Sequence, residues 1–321
     1  MMPCDTDACD PPLPNNETIM TWCVVSRRLR TVLSWTLWPV LFGAGVLGTD
    51  LALASPHPLL WFNVVYLGIA LAIGLLERLM PHERRWLLAD HETLDNLAHT
   101  LLSKGLAQAG AVFVTGAAML SATAAEGRLT MSGAPWPVEA PLALQVVLGL
   151  VVAEFGLYIA HRLAHETRAF WRFHALHHSV RRLWVVNTGR FHIVDSLLKV
   201  AFSQTPLYLL GAPLPVFLWI SAVTAFIGLL THCNIDLRTG PIDRIFNTPG
   251  LHRWHHSKVL REGNSNYGEN LVLWDLLLGT YFNPRRRPPA DIGIRGHVAR
   301  GFLRQLLQPF TAAGVRALFR P

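Results

Sequence analysis

Ten of the fifteen histidines in this chain fall between positions 161 and 256, and eight of them form three short clusters. The clusters have the patterns HxxxH, HxxHH and HxxHH, with the members His161, His165, His174, His177, His178, His252, His255 and His256. Histidines three or four residues apart share one face of a helix, while an adjacent histidine is free to turn toward a second ion. Imidazole is a ligand for zinc, copper, iron and nickel, so the spacing predicts a metal site.

Eight clustered imidazoles are difficult to explain without a metal. Protonated rings would repel each other, and neutral rings buried without partners would lose the free energy of hydration. A closed structural zinc takes four ligands, so the number of histidines favours two ions. A neutral, all-nitrogen ligand set also suits iron that changes its oxidation state and binds O2, but the ligand type alone leaves zinc open.

Seven histidines lie outside these clusters. His192 and His232 stand at the ends of predicted helices, where a single histidine is more often a capping residue than a ligand. The other five are predicted to have surface or capping roles: His57, His82, His91, His99 and His297.

The composition predicts a membrane protein. The chain of 321 residues is 51% hydrophobic and only 15% charged, whereas soluble domains carry about 25% charged residues. The formal net charge of +7 would also fit a nucleic-acid partner. The arginines, however, lie mostly beside apolar runs, where anionic lipid headgroups are the simpler partner, so we expect no nucleic acid.

Long apolar stretches predict the membrane spans. Four of them, 33–54, 59–76, 100–122 and 141–160, are long enough to cross about 30 Å of hydrocarbon. Two further stretches, 193–211 and 214–230, are separated by a Gly-Ala-Pro break and predict a helical hairpin that enters and returns. Asp195, Lys199 and Gln204 interrupt the first helix of this hairpin, which indicates that it lines a site or lies partly at the interface.

The distribution of arginine predicts the orientation. Arginines precede the first span and follow the second, while the loop between those spans has no lysine or arginine. The positive-inside rule therefore places the N-terminus, the segment 81–99 and everything after the fourth span in the cytoplasm. All three histidine clusters and the basic C-terminus then lie on the cytoplasmic face. Residues 302–319 are predicted to form a basic amphipathic helix on the membrane surface.

The residues around the histidines resemble the fatty acid hydroxylase/sterol desaturase superfamily of membrane di-iron enzymes. WRFH and HHS surround the second cluster, RWHHS belongs to the third, and NYG, WD and GT follow at 266–268, 274–275 and 279–280. The RFH sequence ending at His192 and the HCN sequence beginning at His232 resemble the intermediate R-x-H and H-x-N elements of that superfamily. The resemblance covers about residues 154–282, with one departure at Asp195, where glutamate is expected.

The resemblance implies an all-α integral membrane fold. About four transmembrane helices and the helical hairpin would be capped by a cytosolic histidine-rich helical domain. The corresponding regions are a disordered, basic-ended tail (1–30), a transmembrane stalk (31–140), a fatty acid hydroxylase-like di-metal domain (141–283) and a basic amphipathic tail (284–321).

The resemblance also implies the site and its cofactors. His192 and His232 join the eight clustered histidines as metal ligands, and Asp195, Asn266 and Asp275 orient imidazole N–H groups. The cofactors would be two iron ions, with O2 as co-substrate. Because no haem or flavin domain is evident in the sequence, electrons would come from a separate cytochrome, ferredoxin or reductase.

The expected reaction is hydroxylation of a membrane lipid, and the candidate substrates are a fatty acyl chain, a sterol, a carotenoid, an alkylglycerol ether and an amino-acid-containing lipid. Two alternatives remain open: desaturation by an enzyme of the same superfamily, and a non-catalytic scaffold stabilised by zinc. A metal transporter would place its ligands inside the spans near the membrane midplane. The histidines instead lie at predicted helix ends and beyond, which disfavours transport.

Overall fold

The computed structural model describes residues 27–111, 113–114, 116–117 and 135–319. Over these residues the regular structure is helical, and β-structure is limited to three isolated bridges. The prediction of an all-α fold is therefore confirmed. Most of the tail predicted to be disordered, 1–30, lies outside the described residues.

Twelve α-helices are named here in chain order. The first seven are α1 (Arg27–Leu53), α2 (Pro58–Leu79), α3 (Thr93–Ala98), α4 (Leu142–Glu166), α5 (Arg168–His178), α6 (Ile193–Leu209) and α7 (Leu214–His232). The remaining five are short: α8 (Pro249–His255), α9 (Leu260–Gly263), α10 (Leu273–Leu278), α11 (Phe302–Leu307) and α12 (Ala312–Leu318). The 3-10 turns are Arg84–Leu87, Val185–Asn187, Gly240–Arg244 and Gln308–Phe310. A π-helical segment, His99–Gly105, directly follows α3.

Four of the described helices, α1, α2, α4 and α7, are long and apolar enough to cross a membrane. They correspond to three of the four predicted spans and to the second helix of the predicted hairpin. The predicted third span, 100–122, begins in the π-helical segment and remains helical to residue 111. Most of the rest of it lies outside the described residues.

Helix α4 packs closely between α6 and α7, and two glycines permit this approach. A Cβ atom at Gly156 would lie 1.9 Å from the carbonyl oxygen of Phe202 in α6, which is far inside contact distance. A Cβ atom at Gly149 would lie 2.6 Å from Ile220 in α7. The end of α4, which bears the HxxxH motif, is therefore held beside both helices of the hairpin.

One end of the helical bundle brings together the ends of several helices. Arg30, near the start of α1, forms an ion pair of 3.3 Å with Asp236, just beyond α7. Glu77, near the end of α2, accepts hydrogen bonds from the backbone N–H groups of Val185 (2.8 Å) and Asn234 (2.9 Å). The basic start of α1 thus lies at the same end of the bundle as the end of α7, where His232 is located.

The C-terminal segment differs from its prediction. In place of one helix over 302–319, the structure has α11 and α12 separated by the turn Gln308–Phe310. Pro309 lies in this turn and has no N–H group with which to continue a helix. The Thr311 side chain then accepts a hydrogen bond from Gly314 N at 3.1 Å and caps α12.

His99 is also not in its predicted surface or capping position. Its ring is fully buried, with Nδ1 3.1 Å from Ser103 Oγ and Nε2 2.9 Å from Gln305 Oε1. This contact joins the π-helical segment to α11. The sequence did not indicate it because the two partners are 206 residues apart.

Candidate metal centre

Nine of the ten histidines predicted as ligands converge in two adjacent groups. The five-histidine cluster consists of His161, His165, His174, His178 and His255. The four-histidine cluster consists of His177, His232, His252 and His256. Within each cluster the potential ligand atoms lie within 4.8 Å of one another. The clusters adjoin each other, since the His178 ring of the first stacks on the His256 ring of the second at 4.3 Å.

Helical spacing explains how each HxxHH motif contributes to both clusters. In an α-helix, residue i+4 points about 40° from residue i, and residue i+3 points about 60° away on the other side. His174 and His178 accordingly share the five-histidine cluster, while His177 belongs to the other. In the third motif the assignment is opposite. His252 and His256 belong to the four-histidine cluster, and His255 belongs to the five-histidine cluster.

Hydrogen bonds at Nδ1 fix the tautomer of five histidines. Each of these Nδ1 atoms faces an oxygen acceptor, so the Nδ1 atom bears the hydrogen, and Nε2 of the neutral ring presents a lone pair. The pairs are His161 with Tyr267 O (2.7 Å), His255 with Ser265 O (2.7 Å), His174 with Asp195 Oδ2 (2.9 Å), His232 with Asn187 Oδ1 (3.1 Å) and His165 with Asn264 Oδ1 (3.2 Å).

The lone pairs point at each other. His161 Nε2 lies 3.0 Å from both His174 Nε2 and His255 Nε2, although none of the three atoms bears a hydrogen in this ring state. Acceptor atoms at this distance repel each other unless a cation lies between them. The donor set of the five-histidine cluster therefore fits a bound metal ion.

The four-histidine cluster has a similar geometry, but only the tautomer of His232 is fixed by a hydrogen bond at Nδ1. His252 Nε2 lies 3.0 Å from His232 Nε2 and 3.0 Å from His256 Nε2. The Nδ1 atoms of His177, His252 and His256 are buried without a hydrogen-bond partner among the described residues. Metal coordination at Nε2 would leave Nδ1 as the protonated nitrogen of each of these rings.

Burial keeps these rings neutral at physiological pH. For His255, burial is the main cause that lowers the pKa to about 3. Burial likewise lowers the pKa of His177, His178, His252 and His256 well below the usual value, and the neighbouring histidines lower it further. Neutral imidazole is the form that binds metals.

His192 does not join either cluster. It stands at the N-terminus of α6, where its Nδ1 accepts a hydrogen bond from Val194 N at 3.1 Å. Its Nε2 lies 3.1 Å from the carbonyl oxygen of Leu306, to which it donates. Both nitrogens therefore have partners outside the clusters, and the structure gives His192 a capping geometry instead of the ligand geometry implied by the resemblance.

Of the three residues predicted to orient imidazole N–H groups, only Asp195 contacts a clustered histidine directly. Asp195 accepts directly from His174 Nδ1. Asp275 contacts no imidazole, but its carboxylate accepts hydrogen bonds from the N–H groups of Tyr267 and Gly268, both at 2.8 Å. It thereby fixes the loop whose Tyr267 carbonyl accepts from a ligand histidine.

Asn266 also lies away from the imidazoles. Its side chain donates to Phe282 O at 2.8 Å and accepts from Phe282 N at 2.8 Å, which joins two loop segments. Its φ of 51° lies in the left-handed region, which asparagine tolerates better than most residues. Neither Asn266 nor Asp275 hydrogen-bonds an imidazole directly, and both bind backbone groups of the loops around Tyr267.

The sequence did not indicate the roles of several residues at the site. Asn187 and Asn264 hold His232 and His165, and asparagines in loops give no signal of such a role. Glu154 accepts from the backbone N–H groups of Glu269 (2.5 Å) and Asn270 (2.9 Å). A carboxylate inside a predicted span is costly unless it is paired, and this signal could have identified Glu154.

A cavity of about 470 Å³ opens beside the histidines. Near the clusters it is lined by His161, His177 and His232, and farther away by apolar residues such as Phe62 and Leu207. It also reaches residues where α1 ends and α2 begins, at the opposite end of the bundle. The cavity thus connects the metal-binding groups with the apolar interior of the helical bundle.

The amino-acid sequence is similar to those of known lipid hydroxylases. A sequence model described as fatty acid hydroxylase matches residues 146–280. Over 289 residues the chain is 62% identical to an ornithine lipid hydroxylase, OlsE, of Rhizobium tropici, and the alignment covers 90% of this chain and 87% of that protein. No solved structure matches the chain.

The alignments with two more distant relatives cover less than half of this chain. The chain is 26% identical over 151 residues to an alkylglycerol monooxygenase of Caenorhabditis elegans, covering 45% of this chain and 28% of that protein. It is 28% identical over 153 residues to a Delta(7)-sterol 5(6)-desaturase of Eremothecium gossypii, covering 44% and 39%. With the four apolar helices and the histidine clusters, these matches show that the chain belongs to the fatty acid hydroxylase family and is a membrane oxidoreductase.

Proposed function

We propose that this protein is a di-iron, O2-dependent hydroxylase that acts on an ornithine-containing membrane lipid. The observation that carries the proposal is the convergence of nine neutral imidazoles, five of them with Nε2 lone pairs fixed by hydrogen bonds at Nδ1. The substrate class is taken from the relative that is 62% identical over nearly the whole chain.

The number of histidines supports iron over a structural zinc. Five histidines in one cluster exceed the four ligands of a closed zinc site. The closest Nε2 pairs are separated by 3.0–3.2 Å, and all ligand atoms of a cluster lie within 4.8 Å of one another.

The nine clustered histidines would hold the two ions, and His192 is left out of the proposed ligand set. Bound iron would supply reductive activation of O2, which is what oxidation of an unactivated C–H bond requires. One oxygen atom enters the lipid as a hydroxyl group, and the other leaves as water with two protons and two electrons. The electrons would come from a separate redox protein.

The protein's own residues hold the imidazoles and accommodate the substrate. Asp195 and the carbonyls of Tyr267 and Ser265 keep the Nε2 lone pairs directed into the cluster. The apolar part of the cavity would accept an acyl chain and exclude water from the clusters.

A cytoplasmic location of the metal centre is part of the proposal. The basic start of α1 lies at the end of the bundle where His232 is located. Because short basic segments favour the cytoplasmic side, the histidine clusters and the C-terminal segment are placed there as well.

Desaturation is the second candidate, favoured by the similarity to a sterol desaturase. Purified protein would be reconstituted with ornithine lipid, a reductant and ¹⁸O2, and the products would be analysed by mass spectrometry. A lipid that gains one ¹⁸O atom supports hydroxylation. Loss of two hydrogens without oxygen gain would favour desaturation, and an unchanged lipid in iron-loaded protein would contradict both.

A further inference from the structure

The part of the cavity wall beside the metal centre bears two lysines and two glutamates, Glu154 and Glu269. Lys104, from the π-helical segment His99–Gly105, and Lys199, from α6, both line it. Their ammonium groups lie over the ring of Phe191, at 5.2 and 4.1 Å from its centroid. The same ring stacks on His177 of the four-histidine cluster, with centroids 4.2 Å apart and planes 10° from parallel. One aromatic ring therefore lies between a metal-binding histidine and two lysines.

The two lysines differ in their partners. Lys199 Nζ lies 2.5 Å from Glu269 Oε1 and 3.6 Å from Asp195 Oδ2, so its charge is balanced by protein carboxylates. No carboxylate of the described residues lies within ion-pair distance of Lys104. A cation that lines a mainly apolar cavity without an anionic partner is costly, and a ligand that brings an anion would remove this cost.

The π-helical segment that carries Lys104 packs closely on the neighbouring turn. A Cβ atom at Gly189 would lie 2.4 Å from Thr100 Oγ1, so the π-helical segment packs directly on the turn that leads to Phe191. Thr100 itself donates to Asn96 O at 2.9 Å. Short π-helical segments within helices frequently occur at functional sites. The backbone that carries Lys104 is therefore fixed beside the cavity, where its side chain can reach a ligand.

We propose that Lys104 forms an anion subsite in the cavity beside the metal centre and binds the carboxylate of the substrate headgroup there. The inference rests on the proposed function, because an ornithine-containing lipid has an amino acid in its headgroup. A phosphate of a phospholipid shares the required chemistry, so the test compares both sources of negative charge.

The test uses the zinc-substituted full-length protein in nanodiscs, so that binding is measured without turnover. Binding of ornithine lipid and of its carboxyl methyl ester would be followed by native mass spectrometry. We expect Lys104→Met to weaken binding of the free acid by roughly ten- to a hundredfold and to change binding of the ester little. Lys104→Arg should retain the preference for the acid, and Arg261→Met, at an exposed cation outside the cavity lining, should resemble the unmodified protein.

Equal discrimination between acid and ester in the unmodified protein and in Lys104→Met would overturn the proposal. Displacement of ornithine lipid by phosphatidylglycerol at equal concentration, lost in Lys104→Met, would overturn the assignment to a carboxylate and identify a phosphate subsite. A preference for the free acid that depends on Lys104, in a protein that oxidises no ornithine lipid when loaded with iron, would support the subsite while contradicting the proposed function.

Discussion

His161 and His255 are 94 residues apart in the chain, yet their Nε2 atoms face each other at 3.0 Å. Each ring donates through Nδ1 to a backbone carbonyl, so neither Nε2 atom has a hydrogen to share in the neutral ring. A cation between the two atoms removes their repulsion. This contact links the end of α4 to α8, and the arrangement of the site depends on it.

Replacing His161 should remove metal, whereas replacing His192 should not. His161→Ala deletes an Nε2 atom that faces two others, so we expect loss of the ion from the five-histidine cluster and loss of lipid oxidation. His192→Ala should retain both ions and lose about 0.5–2 kcal/mol of stability, because it deletes a helix cap. Metal analysis of the purified variants checks this, and loss of an ion from His192→Ala would restore His192 to the ligand set.

Asp195 should control the affinity of the five-histidine cluster for metal. Its carboxylate fixes the hydrogen on His174 Nδ1 and thereby the lone pair on Nε2. Asp195→Ala should weaken metal binding or activity by about 10- to 100-fold, as is usual for groups that orient ligands. Competition with a chelator measures the affinity. Asp195→Glu is the control, since it retains a carboxylate, and unchanged metal affinity in Asp195→Ala would refute this role.

Gly156 should be sensitive to the smallest substitution. Alanine normally favours a helix over glycine by about 1 kcal/mol, but a Cβ atom here would lie 1.9 Å from Phe202 O. We expect Gly156→Ala to separate α4 from α6 and to cost about 1–3 kcal/mol of stability. Gly68→Ala in α2, where a Cβ atom meets nothing within 4 Å, is the matched control. Thermal unfolding in detergent compares them, and equal melting temperatures would contradict the close packing of α4 on α6.

Acid should weaken the attachment of the C-terminal segment through His99. Burial lowers the pKa of His99 to about 4, below the value of about 6.5 of a free ring. Between pH 6.5 and 4 the undocked ring binds a proton that the docked ring does not. The free energy of docking therefore becomes less favourable as the pH falls, by at most about 3 kcal/mol at pH 4. Above pH 6.5 this group contributes no pH dependence.

Hydrogen exchange of residues 301–319 as a function of pH measures this docking. Protection should decrease below pH 6.5 and be constant above it. His99→Gln, which has no titrating ring, should abolish the change in this range. The same pH profile in both proteins would show that another group is responsible.

The sequence predicted the parts of the site that local periodicity controls. Spacing of three and four residues placed the members of each motif on neighbouring helix faces, and the structure brings eight clustered histidines and His232 together. The division of each HxxHH motif between two clusters could not be predicted in detail, because it depends on how α5 and α8 are rotated relative to α4. That rotation is set by tertiary packing.

The wrong expectations concern contacts that are distant in sequence. The position of His192 is set by Leu306, 114 residues later in the chain, to which it donates a hydrogen bond. His99 is buried because Gln305 docks on it. The break in the C-terminal helix, in contrast, had a local signal in Pro309, which the basic amphipathic pattern obscured.

Metal stoichiometry shows whether the two histidine clusters form a di-iron centre. Full-length protein expressed with added iron would be analysed by plasma mass spectrometry, together with His161→Ala and His252→Ala, which remove one ligand from each cluster. We expect about two irons per chain in the unmodified protein and about one in each variant. Zinc as the only bound metal after iron-supplemented expression, or a single ion lost equally in both variants, would contradict a di-iron centre built from these two clusters.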